Sequence, residues 1–485
     1  MNFQLKKKDT RYITWYCILS LLFISPFIIN GVYFRDDLDR SVTGFYGWSG
    51  LARPLSDLVM SFFSVSGDKL LDYYPFTLIL STVFIGLSAY LVKRLMDSYR
   101  CQGAFLCASL IMFNPFMLQN IAYRFDSLPM SLAVLLTSLS YTYDNKLEIK
   151  SLAIKVVAGV AALSLYQSST NLFLGLLSIE LIAIFSIKNI SLKDTISIIF
   201  KRMVVYILSY SLYMLTIVKI WGGSNKRSEL IDFNIEGIER IKTSLRILNE
   251  IIGTYIRGSS EWYFIATLSV FLICVIVITY KNNKDIAIRL SILILSIFVF
   301  YMSLLGPTIL LKQTPVYART LVSFSCIFVI LSLVILQVSK KMAVIAILPA
   351  VVAFSFSAQS SIAMKEQAKF EDSILNMVSY DLLHKDGINK ILTVGTMKVS
   401  ERTKLILENK PSVKYLVMGS TEFLITFQLK NKGLDGVENG YGIERSNKEL
   451  LSTFISEGIS PFISNEMYSI YLKDGVAIIA FNEGR

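Results

Sequence analysis

The sequence predicts a polytopic α-helical membrane protein of about eleven transmembrane helices with a C-terminal α/β domain. Three observations carry that reading. The 485 residues are 53% hydrophobic and 17% charged, with a mean hydropathy of +0.55, outside the range of soluble chains. Apolar runs of roughly 20 residues, the length that crosses a hydrocarbon core, recur between short basic clusters. After Gln359 the pattern shifts to short alternating stretches.

Taken in order, the runs place helices near 12–32, 73–92, 101–120, 128–143, 151–166, 171–187, 203–220, 262–280, 286–306, 320–338 and 342–358. The first is too long for the apolar core of a signal peptide, and no small-x-small cleavage site follows it, so it reads as a retained helix. With Lys6, Lys7 and Lys8 in the cytoplasm, alternation puts five further clusters on that side. These are Lys93 with Arg94, Lys146 with Lys150, Lys188 to Arg202, Lys281 with Lys284, and Lys340 with Lys341. The segment Trp221 to Glu261 falls outside despite Lys226, Arg227, Arg240, Lys242, Arg246 and Arg257, a basic character suited to anionic ligands.

An odd helix count leaves the tail outside, in the periplasm of a bacterial cell. The expected domains are 1–358, with a first external loop at 33–72, and 359–485. In the tail, "KILTVG", "VKYLVM" and "FLITFQL" read as strands and "EQAKFEDSILNMVSYDLL" as an amphipathic helix. "MYSIYLKDGVAIIAF" reads as a hairpin turning at Asp474-Gly475. There is no internal repeat of the kind many transporters carry.

Composition excludes several classes. The net charge of +12 lies in scattered clusters, so nucleic acid is not expected as a partner. The five cysteines lie in or beside apolar runs, and His384 is the sole histidine, so neither a disulfide framework, a metal site nor a Ser-His-Asp triad is expected.

Four external stretches could carry chemistry. In "YFRDDLDRSVTGFYGWSGLARPLSD", Asp36 and Arg40 share a helical face, and the adjacent carboxyls of Asp36 and Asp37 cannot both ionise freely in a low-dielectric site. One of them could then act as a base near neutral pH, although a capped loop helix with a surface ion pair fits the spacing equally. In the following "ARPLSDLVMSFF", Leu55, Leu58, Val59, Phe62 and Phe63 face one way and Ser56, Asp57 and Ser61 the other, as in a helix lying on a membrane surface.

In "NPFMLQNIAYRFDSLPM", Arg124 and Asp126 sit at a helix boundary, where a guanidinium can snorkel or hold a lipid phosphate. The turn "LYQSSTN" offers Gln167 to sugar hydroxyls, and "GPTILLKQTPVYART" offers Lys312 and Arg319 to a phosphate. Glu180 stands apart, about 13 Å below the external turn at 1.5 Å per residue. At that depth a hydrogen-bonded structural role is favoured over a proton or lipid-tunnel role.

"FRDDLDR", "GWSGLARPLSD", "NPF...YRFDSLPM" and "YQSS", in this order, resemble the phage-encoded, serotype-converting O-antigen glucosyltransferases of type II, within the GT-C class. The resemblance is strongest from Tyr33 to Thr170 and absent after Gln359; Ala52 stands where relatives look to have Gly. It implies a GT-C-like fold and a donor, undecaprenyl-phosphate glucose, whose sugar passes to the lipid-linked O-antigen on the periplasmic side of the inner membrane. It implies association with the lipid bilayer, a flippase and a donor-lipid synthase, with no metal or other cofactor. Matched residue by residue, Asp37 or Asp36 takes the place of the base. Arg124 and Arg319 would hold the leaving phosphate, with Lys312 a second candidate, and Asp126, Gln167 and Arg53 would position sugars or the loop. Alternatives are a transferase for another polyprenyl-linked sugar, a polysaccharide flippase and an O-antigen polymerase.

Overall fold

The computed structural model describes residues 7–186, 191–222, 231–232, 234–281, 286–438 and 440–481. Of the charged residues singled out above, Lys6, Lys188, Lys226, Arg227 and Lys284 lie outside these ranges. The chain divides into two compact units. A helical unit comprises Met1–Ile29, Gly47–Gly67 and Tyr73–Ala358; a tail unit comprises Asn30–Tyr46, Asp68–Asp72 and Gln359–Arg485.

In chain order the helices begin with α1 (Lys7–Asn30), α2 (Asp37–Thr43), α3 (Pro54–Ser64) and α4 (Phe76–Ser98). Next come α5 (Ala104–Ser109), α6 (Leu118–Ala122), α7 (Ser127–Thr142), α8 (Ile149–Leu165) and α9 (Asn171–Ser186). α10 (Leu192–Tyr213) joins α11 (Lys219–Trp221) through a π turn, and α12 (Ile235–Ile256), α13 (Glu261–Lys281), α14 (Ile286–Ser303), α15 (Cys326–Val338) and α16 (Ala343–Ala346) follow. Among the described residues, seven helical stretches are long and apolar enough to cross a membrane: Lys7–Asn30, Phe76–Ser98, Gln167–Ser186, Leu192–Trp221, Gly258–Lys281, Ile286–Ser303 and Lys340–Leu383.

Other expected spans are shorter or broken. The run 101–120 is not one helix, because Pro115 lacks an N–H and disfavours helix at Asn114. Asn114 stabilises the break: its Oδ1 accepts the N–H groups of Phe116 and Met117 at 3.0 and 3.3 Å, and its Nδ2 donates to the carbonyls of Leu321 and Val322 at 2.9 and 2.8 Å. Irregular backbone is tolerated here because it is buried in protein. α7 and α15 are apolar but short, and α8 has 17 residues and carries Lys150 and Lys155.

Inside this unit α4 packs on α7, α7 on α8, α8 on α10, and α9 on α14 and α15. Small residues set the close approaches: a Cβ on Gly86 would lie 2.8 Å from the Cys17 backbone nitrogen, so α4 and α1 approach backbone to backbone. Glu180 is fully paired. Arg202 donates Nε and Nη2 to its carboxylate at 3.0 and 3.1 Å, and the hydroxyls of Tyr99 (2.7 Å) and Tyr141 complete its shell. Arg202 also donates Nη1 to the Tyr141 and Asp144 carbonyls, so the pair ties α9 to α10 and to the end of α7. This is the geometry of a structural role.

The tail unit begins on α17 (Leu348–Leu383), a helix of 36 residues that also closes the helical unit. The amphipathic helix expected at "EQAKFEDSILNMVSYDLL" is therefore no separate element: no Gly or Pro interrupts 350–383. Then come β1 (Lys390–Val394), α18 (Glu401–Asn409), α19 (Glu422–Asn431), α20 (Glu444–Ser456), β2 (Ile463–Ser464), β3 (Tyr468–Lys473) and β4 (Val476–Phe481). The sheet order is β1-β4-β3-β2, with β1 parallel to β4 and the other pairs antiparallel.

The hairpin turns at Asp474-Gly475, both with positive φ (47° and 77°), as a two-residue type I′ turn requires. "VKYLVM" is not a strand: Pro411–Tyr415 is a 3-10 turn, and Ser412, Val413, Leu416 and Val417 are buried at helical spacing. "FLITFQL" is not a strand either; it lies in α19, which buries Ile425 and Leu429, four apart, against the sheet. Tertiary packing there overrides the β propensity of an Ile-Thr-Phe run.

Candidate active site

The loop before α3 is built around backbone donors. Asp57 accepts the N–H of Trp48 at 3.1 Å and of Ser49 at 2.6 Å, which closes Trp48–Asp57 into a compact turn. Ala52 in this turn has φ 58°, a left-handed conformation in which a β-carbon is strained, and this explains why a Gly suits the position. The polar side of α3 faces protein, with Ser56 Oγ donating to the Leu165 carbonyl at 2.8 Å, while Leu58 and Phe62 are exposed. An apolar face left open is what a surface-lying helix presents to lipid.

From this turn Arg53 donates Nε to Gln167 Oε1 at 2.6 Å and lies 4.8 Å over the Tyr166 ring. Gln167 donates Nε2 to the Leu51 carbonyl at 3.0 Å and to Tyr213 Oη at 2.9 Å, and Tyr213 donates to the Ala52 carbonyl at 2.9 Å. Desolvation pulls the Arg53 guanidinium below its ordinary value; Tyr166 and Asp126 act against that, and Arg319 adds to it. Arg53, Asp126 and Arg319 thus share one electrostatic neighbourhood.

Asp126 is buried and accepts Trp48 Nε1 at 2.6 Å. Arg319 donates Nη1 to Tyr123 Oη at 2.6 Å, its N–H bonds Gln119 Oε1 at 2.7 Å, and its carbonyl accepts from Asn120 (3.0 Å) and Tyr166 (3.1 Å). Arg124, adjacent to Tyr123, stacks 4.4 Å over the Tyr74 ring. Arg53, Arg124 and Arg319 are each part-exposed and each lie over an aromatic ring, an environment that suits a guanidinium.

The structure therefore gathers Arg53, Asp126, Gln167 and Arg319. Lys312 engages a different partner, Asp232, at 3.4 Å. In the same unit an apolar cavity of about 210 Å³ lies among Leu174, Leu248, Tyr301, Leu305 and Gly306. Among the described residues, no three His, Cys, Asp or Glu side chains gather as metal ligands would.

Asp36 and Asp37 belong to the tail unit. Asp36 is exposed and stands just ahead of α2; Asp37 is fully buried, and its Oδ2 accepts the Phe34 N–H at 3.1 Å. Arg40 donates Nη1 to the carbonyls of Phe45 (2.7 Å) and Tyr46, holding the chain after α2. Gly44, with φ 65°, ends that helix.

Sequence reasoning passed over Trp48, Tyr123, Tyr166 and Tyr213. Trp48 lies inside a quoted motif, and Tyr123 and Tyr166 flank Arg124 and Gln167, so local context signalled three of them. Tyr213 sits within the apolar run of α10 and carried no local signal.

The chain matches the family model described as glucosyl transferase GtrII over residues 4–336. A Salmonella phage P22 protein, described as an uncharacterized 55.3 kDa protein in the gtrB 5′ region, is 29% identical over 430 residues, covering 84% of this chain and 87% of that protein. No solved structure matches the chain.

Proposed function

The chain belongs to the GtrII glucosyl transferase family, and from that premise we propose that it moves glucose from undecaprenyl-phosphate glucose onto a sugar of the lipid-linked O-antigen unit. The observation that carries the proposal is the cluster of Arg53, Arg319, Asp126 and Gln167, an anion-binding set within a unit of apolar helices. The phage P22 relative, described by its place in a gtrB region, supports the O-antigen setting. The reaction belongs on the periplasmic side of the bacterial inner membrane, in a multi-pass GT-C-like domain with a cytoplasmic N-terminus and the tail domain in the periplasm.

In this reading the acceptor hydroxyl attacks the anomeric carbon of a β-linked glucose. The bond to the phosphate oxygen breaks, the electron pair leaves with undecaprenyl phosphate, and configuration inverts to α. Asp37 takes the hydroxyl proton with Asp36 as its orienting partner, or the two exchange roles, and the guanidiniums of Arg319 and Arg124 neutralise the leaving phosphate while Arg53 holds the loop. Asp126 and Gln167 orient sugar hydroxyls, Lys312 remains a reserve phosphate contact, and the apolar cavity suits part of an isoprenoid chain. No metal or other cofactor is invoked. A flippase and a donor-lipid synthase would supply the donor on the correct side.

Asp36→Asn and Asp37→Asn variants test the base. The expected outcome is normal membrane insertion with O-antigen glucosylation cut at least 100-fold in Asp37→Asn and less in Asp36→Asn. Wild-type rates in both variants would remove the carboxylates from the mechanism.

A further inference from the structure

The packing of the tail domain points to a role for it. Resting on the reading above that Asp36 and Asp37 carry the base, we infer that the tail domain positions them, through the docking of α2 on α19, with Asn431 as a positioning residue.

A seven-residue helix is too short to be stable on its own, because nucleation is unfavourable and only a few hydrogen bonds repay it. Tertiary packing must therefore hold α2, and the helix it packs on is α19. Two contacts fix the register of the pair. Arg35 Nη2 lies 3.5 Å from Met418 Sδ, shortly before α19, and Asn431 Nδ2, at the last residue of α19, donates to Ser41 Oγ at 3.2 Å. Asp36 and Asp37 fall between these contacts along the chain.

α19 is itself immobilised. Ile425 and Leu429 are fully buried in the core beneath the sheet, and Glu422 Oε1 accepts the Gly395 N–H at 3.0 Å at the end of β1. Further ties secure the carboxylate segment at both ends. Asn30 Nδ2 donates to Ser361 Oγ of α17 at 2.7 Å; beyond α2, the Leu70 N–H bonds the Gly44 carbonyl at 2.9 Å and Lys69 Nζ the Thr43 carbonyl at 3.0 Å. The carboxylates thus take their position from the tail's sheet by way of α19 rather than from a free loop.

The test uses the full-length chain in membranes. Asn431 is exposed at the helix end, so Asn431→Arg leaves the domain folded while placing a long cation against α2. The expected result is kcat lowered at least ten-fold with the KM for the lipid-linked donor within two-fold, and at least half of the lost kcat restored by adding Ser41→Asp, whose charge complements the arginine. A kcat unchanged by Asn431→Arg, or a loss that Ser41→Asp does not relieve, overturns the proposal. Docking is read separately by a short bis-thiol reagent on the Ser41→Cys/Asn431→Cys pair. Cross-linking in the native membrane supports it, and failure to cross-link overturns it. Cross-linking together with full activity in both Asp→Asn variants would instead locate the failure in the assignment of the base.

Discussion

At Ala52 sequence and backbone disagree. Its φ of 58° puts a β-carbon where only glycine sits without strain, and the Tyr213 hydroxyl on its carbonyl holds it there. Ala52→Gly is expected to raise stability by about 1 kcal/mol, read as a higher thermal midpoint in detergent. Asp144 makes a second residue-scale case. Burial opposes its charge, but hydrogen bonds from Ser151 Oγ, the Lys146 N–H and Lys155 Nζ outweigh it and hold the carboxyl near pH 2, against an ordinary 3.8. A depressed carboxyl contributes stability that is complete above its unfolded value and lost as the pH falls through the folded one. Asp144→Asn is therefore expected to be less stable than the parent at pH 7, with the gap constant down to about pH 5 and closing between pH 4 and 2. A gap independent of pH would mean that the charge contributes nothing.

Among the elements, the sequence was most legible where one period dominated. The hairpin at Asp474-Gly475 and strand β1 were readable from alternation and turn chemistry, and the long apolar helices from length alone. The segments 413–418 and 423–429 were not, because Val, Ile, Thr and Phe favour strands in isolation while their native neighbours bury them at helical spacing. The break at Asn114-Pro115 carried a signal in the proline, yet its stability depends on the carbonyls of Leu321 and Val322, some 200 residues away. Gly86 shows the same dependence on a distant partner. Its hydrogen faces the α1 backbone at Cys17, so Gly86→Leu must push α1 and α4 apart. The expected result is a loss of about 1–3 kcal/mol, from overpacking, seen as a lower thermal midpoint. An unchanged midpoint would show that the α1–α4 contact gives way freely.

At the scale of the whole molecule, composition alone identified a membrane protein with a differently built tail, since hydropathy integrates over hundreds of residues. Asp126, Gln167 and Arg319 were named from local context and Arg53 from the family resemblance, and the structure brings all four together across more than 260 positions of sequence. Sequence did not reveal that Asn30–Tyr46 folds with the tail, because that pairing rests on single contacts such as Ser41 with Asn431, which have no periodic trace. The proposed reaction is a covalent glucosyl transfer from a lipid-linked donor. Its most direct test incubates the purified full chain with radiolabelled undecaprenyl-phosphate glucose and lipid-linked O-antigen acceptor, followed by linkage analysis of the product. The expected product is a single α-linked glucose branch, formed in step with release of undecaprenyl phosphate. Label that crosses the membrane without joining the acceptor, a lengthened polymer without a branch, or a β-linked product would contradict it.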